Sequence, residues 1–475
     1  MSNLTGAGSP ARHSVHQLDE LFVQAMTRLQ GAALPVVVAA DVTPASMAVA
    51  YSGGLDSSVL LHLAHAWAQR HGITLHAFHV HHGLSPNADA WLAHCRQVSS
   101  ALAVSFDVRH IDLNARDNVE EAARIGRYAA LGEMCRQHGA TTLLTAHHQD
   151  DQAETVLLQL LRGSGVAGMS GMDQANTAPA LLGDPTLVIA RPLLAASREE
   201  LEACIAERQI AHIEDESNHD PRYARNALRL QVMPVLAQCF PGYQERFSRA
   251  ARHAQSAQRL LITLAQQDLA ACLQGEYLSL PVLRQLDPDR IDNLLRYWFG
   301  TRHLRMPSAA WLLELRTQLL EAKEDAQLCV THPACHIRRY RERVFLTPRR
   351  APPDDDLGPQ PFVWDGAASM HFPAFGGTLY VEPASTGVSR EWLRQQILTI
   401  VPRSGGEKLR LAVNRPAKSL KYHFQAGDVP AWERPYLPIV FVGEQLLYAA
   451  GIGMDCHASD SGEGRVILRW QADLQ

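Results

Sequence analysis

The sequence predicts an α/β protein in which a doubly wound parallel sheet is followed by a mostly helical domain and a small α+β domain. Its 475 residues, 46% of them hydrophobic, can bury more than one core and predict about two to four domains. From Met47 to about Leu194, short β-rich runs alternate with helical patterns, which is typical of a parallel sheet covered by helices. From Pro241 to about Ala326 the β-rich runs almost vanish, which indicates a second, helical domain.

The elements of the first region follow from hydrophobic periodicity. The candidate strands are Met47–Tyr51, Leu75–Val80, Ser105–Ile111, Thr141–Ala146 and Leu187–Ala190. The helices predicted between them are Ser57–Gln69, Asn87–Ala101, Val119–His138 and Asp150–Leu161. A further helix should begin after Ser197, because Ser197 and Glu200 can form a capping box ahead of Leu201.

The rest of the chain divides at a Pro-rich acidic linker, Ala351–Pro361. Before the linker, three segments with an apolar face are predicted as helices: Arg246–Cys272, Pro288–Phe299 and Ser308–Glu321. Cys329–Leu346 suggests two or three short strands. After the linker, strand signals mix with one helix around Arg390–Leu398. We therefore expect three domains, at residues 1–240, 241–350 and 362–475.

Composition excludes several classes of protein. The formal net charge of −5 argues against a globally basic protein, so a nucleic-acid partner must meet a local basic patch. The 8 cysteines form no Cys-x-x-Cys pair, so neither a disulfide framework nor a cysteine zinc site is indicated. The early apolar run Ala32–Ala40 is too short to span a bilayer. We expect a cytoplasmic protein with no membrane partner.

The most informative segment is the loop between the first strand and the first helix of this region, Ser52-Gly53-Gly54-Leu55-Asp56-Ser57. A Gly-Gly turn before a helix directs backbone N–H groups and the helix dipole at one point, where an anion is stabilised. Asp56 would repel phosphate unless a cation lies between them, and magnesium is the simplest choice. The alternative is an ordinary turn whose serine caps the helix. A Walker A motif is absent from the sequence.

This loop resembles the pyrophosphate loop of the N-type ATP pyrophosphatases, the PP-loop superfamily, which has a Rossmann-like fold. Its members cleave ATP between the α and β phosphates and transfer AMP to a substrate oxygen. The resemblance therefore implies that Ser52, Gly53, Gly54, Leu55, Asp56 and Ser57 bind ATP.

Further motifs resemble one family of that superfamily, the tRNA(Ile)-lysidine synthetases. The clearest of them are Phe78–Ser85, Ala123–Tyr128, Thr145–Thr155, Ile213–Asn218 and Arg225–Arg229. The resemblance extends over most of the chain. It implies an N-terminal catalytic domain, a middle tRNA-binding or substrate-binding domain and a C-terminal tRNA-binding domain.

The resemblance implies a ligase that acts on the wobble cytidine of the CAU anticodon of tRNA(Ile). ATP adenylates the oxygen on carbon 2 of the base with release of pyrophosphate, and free L-lysine then displaces AMP at carbon 2 to form lysidine. The product reads AUA instead of AUG and is charged with isoleucine instead of methionine. ATP is thus a co-substrate and Mg²⁺ the expected cofactor, and a homodimer is an open alternative to a monomer.

The residues allow roles in both steps. Asp56 is the predicted metal ligand, while Arg124 and Arg127 lie three apart on one helix face, where they could grip phosphate. An Arg-x-x-Arg pair is also common on an ordinary solvated face. His147 could contact phosphate or transfer a proton.

Three acids at the start of a predicted helix suit a cationic amino acid. Asp150 and Glu154 are four residues apart on one face and are the predicted lysine ligands; Asp151 lies beside them. Part of this group could instead bind magnesium. Acids in a first helical turn also often serve only to complement the helix dipole.

Two stretches are locally basic and could follow tRNA phosphates. From Arg403 to Arg434, seven basic residues face three acids, and from Arg338 to Arg350 six arginines face only Glu342. The predicted tRNA contacts are Arg338, Arg339, Arg403, Lys408, Arg415, Lys418 and Lys421. A solvated charged face is the alternative for either stretch.

Three other functions stay open at this point. A tRNA thiolation enzyme of the same fold would need cysteines that this sequence does not pair. A non-catalytic tRNA-binding protein would bind tRNA without releasing AMP. A small-molecule amidotransferase, such as an NAD or GMP synthetase, would release AMP without tRNA.

Overall fold

The first strand in the described residues, β1, lies in the middle of a six-stranded sheet whose order is β3-β2-β1-β4-β6-β5. The strands are β1 Ser46–Ala50, β2 Thr74–His81, β3 Ser105–His110, β4 Thr142–Leu144, β5 Ala175–Thr177 and β6 Val188–Ala190. All pairs are parallel except β5 with β6. The five predicted strands are confirmed, and the antiparallel edge strand β5 is an addition.

This computed structural model describes residues 10–31, 46–83, 85–111, 119–214, 216, 224–323, 328–349, 357–456 and 464–473. Of the predicted segments, Ala32–Ala40, Leu84, Asp215, Ser217, Asn218 and Arg350 lie outside these ranges, as does most of the linker. The chain divides into two compact units, Met1–Leu261 and Ile262–Gln475.

Helices cover both faces of the six-stranded sheet, because alternate strand residues point to opposite faces. They are α1 Pro10–Gly31, α2 Leu55–His71, α3 Ala88–Ala101, α4 Val119–His138, α5 Gln149–Leu161, α6 Val166–Met169, α7 Pro179–Leu182 and α8 Arg198–Arg208. Val49 of β1 packs in one core with residues of α1, α2 and α8, while its neighbour Ala48 packs in another with residues of α4. The doubly wound arrangement is therefore confirmed.

The first unit ends in helical structure that the sequence did not indicate before Arg246. Its elements are α9 Ala224–Ala227, a π-helical turn Leu228–Val232, α10 Met233–Cys239 and α11 Tyr243–Cys272. Met233 and Tyr243 pack on Ala153 of α5, which brings this segment next to the start of α5. Helix α11 continues into the second unit.

In the second unit, the predicted helices are present as α13 Pro288–Thr301 and α14 Ala309–Glu321, preceded by a single turn, α12 Leu280–Leu283. They share a core with an antiparallel sheet of order β7-β8-β11-β10-β9. Its strands are β7 Leu273–Gln274, β8 Tyr277–Ser279, β9 Cys329–Thr331, β10 Cys335–Tyr340 and β11 Arg343–Pro348. The strands predicted in Cys329–Leu346 are confirmed, whereas β7 and β8 were not expected.

The C-terminal part is built from small antiparallel sheets. The strands are β12 Gln360–Val363, β13 Ser369–Phe372, β14 Gly377–Ser389, β15 Ile397–Val401, β16 Lys408–Leu409, β17 Lys418–Ser419, β18 Ile439–Val442, β19 Gln445–Ala449, β20 Gly453–Met454 and β21 Arg465–Ala472. The helices are α15 Arg390–Arg394 and α16 Leu420–Ala426. The predicted helix Arg390–Leu398 is wrong in its second half, because Leu398 is buried in β15. The linker also ends earlier than predicted, at the start of β12.

Among the described residues, no helix combines the length and apolar character needed to cross a membrane.

Candidate functional site

The loop after β1 lies at the point where the strand order of the sheet reverses, between β1 and β4. Ligands bind at such a switch point in open α/β sheets, outside the carboxyl ends of the strands. Gly53 has φ +85°, and a Cβ there would lie 2.7 Å from Ile213 Cδ1 and 2.9 Å from Cys95 Sγ. Only glycine therefore suits this position.

The serine hydroxyls of the loop hold its shape. Ser57 Oγ donates to the carbonyl oxygen of Gly54 at 3.0 Å and lies 3.0 Å from Ser52 Oγ. Ser58 Oγ donates to the carbonyl oxygen of Gly53 at 3.2 Å. The hydroxyls of Ser57 and Ser58 are thus used inside the loop. Helix α2 begins after Gly54 with no side-chain cap, which leaves its first N–H groups to bind an anion.

An acidic group, defined as Asp56, Asp150 and Asp151, surrounds the buried imidazole of His148. His148 Nε2 lies 3.8 Å from Asp56 Oδ1 and 3.4 Å from Asp151 Oδ2, and Nδ1 lies 3.5 Å from Asp150 Oδ2. His148 is also the N-cap of α5 and forms a capping box with Asp151. Burial lowers the pKa of His148, but the hydrogen bond with Asp150 and the charges of Asp151 and Asp56 outweigh it, so the pKa is raised.

The carboxylate of Asp150 is held in its charged form. Burial raises its pKa, but hydrogen bonds from His148, Gln244 and the backbone of Arg198 prevail and lower it from 3.8 to about 2. Gln244 Nε2 donates to Asp150 Oδ1 at 3.1 Å, and the Arg198 N–H donates to Oδ2 at 3.1 Å. The pKa of Asp151 is also lowered, since the charges of His148, His147 and Arg225 outweigh its burial.

Glu154, a predicted lysine ligand, forms two ion pairs with arginines. Its side chain is 2% exposed, and Arg229 Nε and Arg225 Nε lie 2.7 Å and 3.0 Å from its carboxylate oxygens. Arg229 Nη2 also donates to Asp151 Oδ1 at 3.3 Å. A lysine ammonium at Glu154 would therefore share the carboxylate with Arg225 and Arg229.

A cationic group, defined as Arg124, Arg127, Arg191 and Arg225, surrounds the half-buried His147 and the buried Tyr128. The guanidinium carbons of Arg124 and Arg127 lie 5.5 Å and 5.6 Å from the centre of the Tyr128 ring. The pKa of His147 is lowered from 6.5 to about 4, mainly because of burial. The charge of Asp151 acts in the opposite direction, whereas the charges of Arg191, Arg225 and Arg127 add to the lowering. His147 is therefore neutral near pH 7.

Asp56 is the predicted metal ligand, and its carboxylate is of the type that Mg²⁺ prefers. In the structure, Arg198 Nη1 lies 2.5 Å from Asp56 Oδ1. In the described ranges, no three His, Cys, Asp or Glu side chains converge as a metal site. The described side chains therefore form no complete metal site, but a single carboxylate such as Asp56 can hold Mg²⁺ together with substrate phosphates. Arg198 occupies that carboxylate oxygen in the structure.

Of the predicted tRNA contacts in the second unit, Arg339 needs correction. Its side chain is buried, with 2% of the residue exposed, and Nη1 donates to the carbonyl oxygens of Leu319 and Ala322 at the end of α14. Arg339 is therefore a structural cap of α14 and not a surface contact. Arg338 lies beside it, with its guanidinium carbon 5.3 Å from the Trp432 ring centre.

The other predicted contacts lie around the β16–β17 hairpin and α16. Lys408, Arg415, Lys418 and Lys421 are exposed, and Lys418 Nζ lies 5.1 Å from the ring centre of the exposed Tyr422. Arg403 is less accessible, with its guanidinium carbon 5.5 Å from the Phe424 ring centre and Glu407 beside it.

Several site residues had no predicted role. These are His148, Arg191, Arg198, Arg225 and Arg229. A signal was present for two of them, because Arg225 and Arg229 are four apart and therefore share a helix face. Nothing in the sequence pairs Arg198 with Asp56, which lies 142 positions away.

The chain matches three family models: the PP-loop domain over residues 24–236, the TilS substrate binding domain over 278–345 and the TilS substrate C-terminal domain over 398–470. It is 40% identical over 478 aligned residues to the tRNA(Ile)-lysidine synthase of Burkholderia pseudomallei, covering 93% of this chain and 96% of the relative. The synthase of Ralstonia nicotianae is 39% identical over 88% of this chain and 91% of its own. That of Alkalilimnicola ehrlichii is 40% identical, with 85% and 89% covered.

Proposed function

The chain belongs to the tRNA(Ile)-lysidine synthase family, and on that premise we propose how its first unit divides the two steps of the reaction between the cationic and the acidic group. The chain is a ligase with a PP-loop ATP-binding domain that catalyses ATP-dependent formation of lysidine on tRNA(Ile). The proposal rests on one observation: the two groups of opposite charge meet at consecutive residues, His147 and His148, beside the loop.

In the first step, the oxygen on carbon 2 of the wobble cytidine attacks the α-phosphorus of ATP and pyrophosphate leaves. The N–H groups at the start of α2 bind phosphate oxygens, as do Arg124 and Arg127 of the cationic group. His147 is neutral and therefore suits an N–H hydrogen bond to phosphate better than proton uptake. Magnesium at Asp56 would offset the negative charge that builds on the phosphates.

In the second step, the neutral amine of free L-lysine forms a bond to carbon 2, the bond from carbon 2 to the AMP oxygen breaks, and the amine loses a proton to water as AMP leaves. Asp150, together with Glu154, binds an ammonium group of the lysine, because the low pKa of Asp150 keeps its carboxylate charged at every pH of interest. Asp151 holds the start of α5 through His148 and so positions both carboxylates.

The exposed basic residues Lys408, Arg415, Lys418 and Lys421 bind phosphates of the tRNA, with Arg338 and Arg403 as further contacts. Lys418→Ala should weaken tRNA binding and lower the dependence of log Kd on log salt by about one charge. Binding is measured by filter retention at several salt concentrations. Arg339→Ala serves as the contrast, because it should lower the melting temperature and leave the salt slope unchanged.

The function is tested by incubating the full chain with ATP, labelled lysine and a tRNA(Ile) transcript that carries the CAU anticodon. Label should enter the tRNA with equimolar release of AMP and pyrophosphate. A transcript with uridine at the wobble position is the matched control and should take up none. AMP release without tRNA would indicate a small-molecule synthetase, and a sulfur-dependent product by mass spectrometry would indicate thiolation. No label in the CAU transcript, with an active control enzyme, rejects lysidine formation.

A further inference from the structure

The ion pair between Asp56 and Arg198 joins the first turn of α2 to the first residue of α8. Arg198 Nη1 lies 2.5 Å from Asp56 Oδ1, and both side chains are partly exposed, at 39% and 32%. The carboxylate that the proposed function assigns to magnesium is therefore already neutralised by a residue of the chain itself.

The backbone of Arg198 is held independently of its side chain. Its N–H donates to Asp150 Oδ2, and the helix start is set by the capping box of Ser197 and Glu200. Its Nε donates to Glu202 Oε1 at 3.0 Å, one helical turn later. The guanidinium can therefore leave Asp56 by a change of rotamer, without any change in α8.

A guanidinium and a divalent cation cannot share one carboxylate oxygen without strong repulsion between them. We propose that Arg198 is an internal counter-ion of Asp56 that a divalent cation must displace, so that the chain binds the cation well only when ATP brings it. This inference rests on the proposed metal role of Asp56.

The experiment is a titration of the full chain with Mn²⁺ alone, followed by the EPR signal of free Mn²⁺. Arg198→Gln should bind Mn²⁺ about fivefold more tightly than the wild type, because the competing ion pair of a partly exposed site is lost. Asp56→Asn added to Arg198→Gln should abolish that gain. Arg208→Gln is the matched control on the same helix: Arg208 pairs with Asp19, so its loss should not change Mn²⁺ affinity.

Equal or weaker Mn²⁺ binding by Arg198→Gln would overturn the proposal, as would a gain that survives Asp56→Asn. Arg198→Lys retains the charge and should bind Mn²⁺ as the wild type does; tight binding by this variant would also overturn it. The metal role of Asp56 has its own test, Mn²⁺ binding in the presence of a non-hydrolysable ATP analogue. If Asp56→Asn leaves that binding unchanged, the metal assignment fails whatever Arg198→Gln does.

Discussion

The cationic group around His147 and the acidic group around His148 are adjacent in the sequence and opposite in electrostatics. Arginine charges and burial keep His147 neutral, with a pKa of about 4, whereas three carboxylates raise the pKa of His148. Two identical side chains in the short segment between β4 and α5 thus acquire different protonation states from their neighbours. We propose that this difference separates an anion-binding side from a cation-binding side within one site.

The largest effect on the first step of the reaction is expected from a substitution of Asp56. Asp56→Asn should reduce pyrophosphate release by about 100-fold or more. The variant loses the carboxylate that holds magnesium, and with it the positive charge that offsets the phosphates. Release is measured in single-turnover reactions with tRNA. Asp107→Asn, an acid on β3 that pairs with His138, should be close to wild type. Unchanged release by Asp56→Asn would contradict a metal at Asp56.

Replacing Glu154 tests whether its buried carboxylate stabilises the fold by pairing with Arg225 and Arg229. Glu154→Gln should lower the free energy of unfolding by about 3 kcal/mol, because the paired guanidinium groups of Arg225 and Arg229 lose a buried carboxylate. Urea unfolding of the full chain measures this. It should also raise the KM for lysine more than the KM for ATP. A variant as stable as the wild type would show that the arginines do not depend on Glu154.

A substitution of Asp150 should affect the binding of lysine and not the binding of ATP. Asp150→Asn should raise the KM for lysine by about 10- to 30-fold, since a charge-assisted contact to an ammonium is worth about 1.5–2 kcal/mol. The KM for ATP should change by less than about twofold. Steady-state incorporation of labelled lysine measures both constants. Equal increases in the two would remove the assignment of lysine to Asp150.

A substitution in the cationic group should have the opposite selectivity and affect ATP more than lysine. Arg127→Ala should raise the KM for ATP by about tenfold and leave the KM for lysine nearly unchanged. It should also raise the pKa of His147, because one of the charges that lower it is removed. NMR titration of the imidazole measures the pKa. Arg28→Ala, an exposed arginine on α1, should do neither. A lysine-specific effect of Arg127→Ala would reverse the division proposed for the two groups.

The lowered pKa of His147 should also make the stability of the folded chain depend on pH. The unfolded chain protonates His147 near pH 6.5 and the folded chain only near 4, so the unfolded state binds more protons between these values. Lowering the pH from 7 to 5 should therefore destabilise the wild type more than His147→Gln, by about 2 kcal/mol. Urea unfolding at both pH values measures it. His16→Gln, whose side chain is 77% exposed, is the control and should match the wild type. An equal loss in His147→Gln would contradict the lowered pKa.

Much of the fold was predictable because strands and helices leave local patterns. Helix α4 has the predicted bounds, and α8 begins at the predicted capping box. Strand β5 was missed because three residues, Ala-Asn-Thr, carry no alternation of apolar and polar positions. Helix α1 was missed although Val15, Leu18, Phe22 and Met26 recur at helical spacing and are buried.

Basic residues show where sequence patterns stop being sufficient. Arg339 and Lys418 lie in equally basic stretches, yet Arg339 is buried against carbonyl oxygens of α14 and Lys418 is exposed. The count of charges in a stretch does not tell which side of a strand or helix faces solvent. The tRNA-binding prediction was therefore wrong for Arg339.

The sequence by itself determined the doubly wound sheet, the Gly53-Gly54 loop and the positions of Asp56, Asp150 and Asp151, because these depend on local spacing. Only the tertiary structure decided which charges oppose one another. Arg198 reaches Asp56 across 142 positions, and Arg225 reaches Glu154 across 71. Coulomb energies and desolvation depend on distance and burial in space. For that reason two adjacent histidines with the same chemistry came to hold different charges.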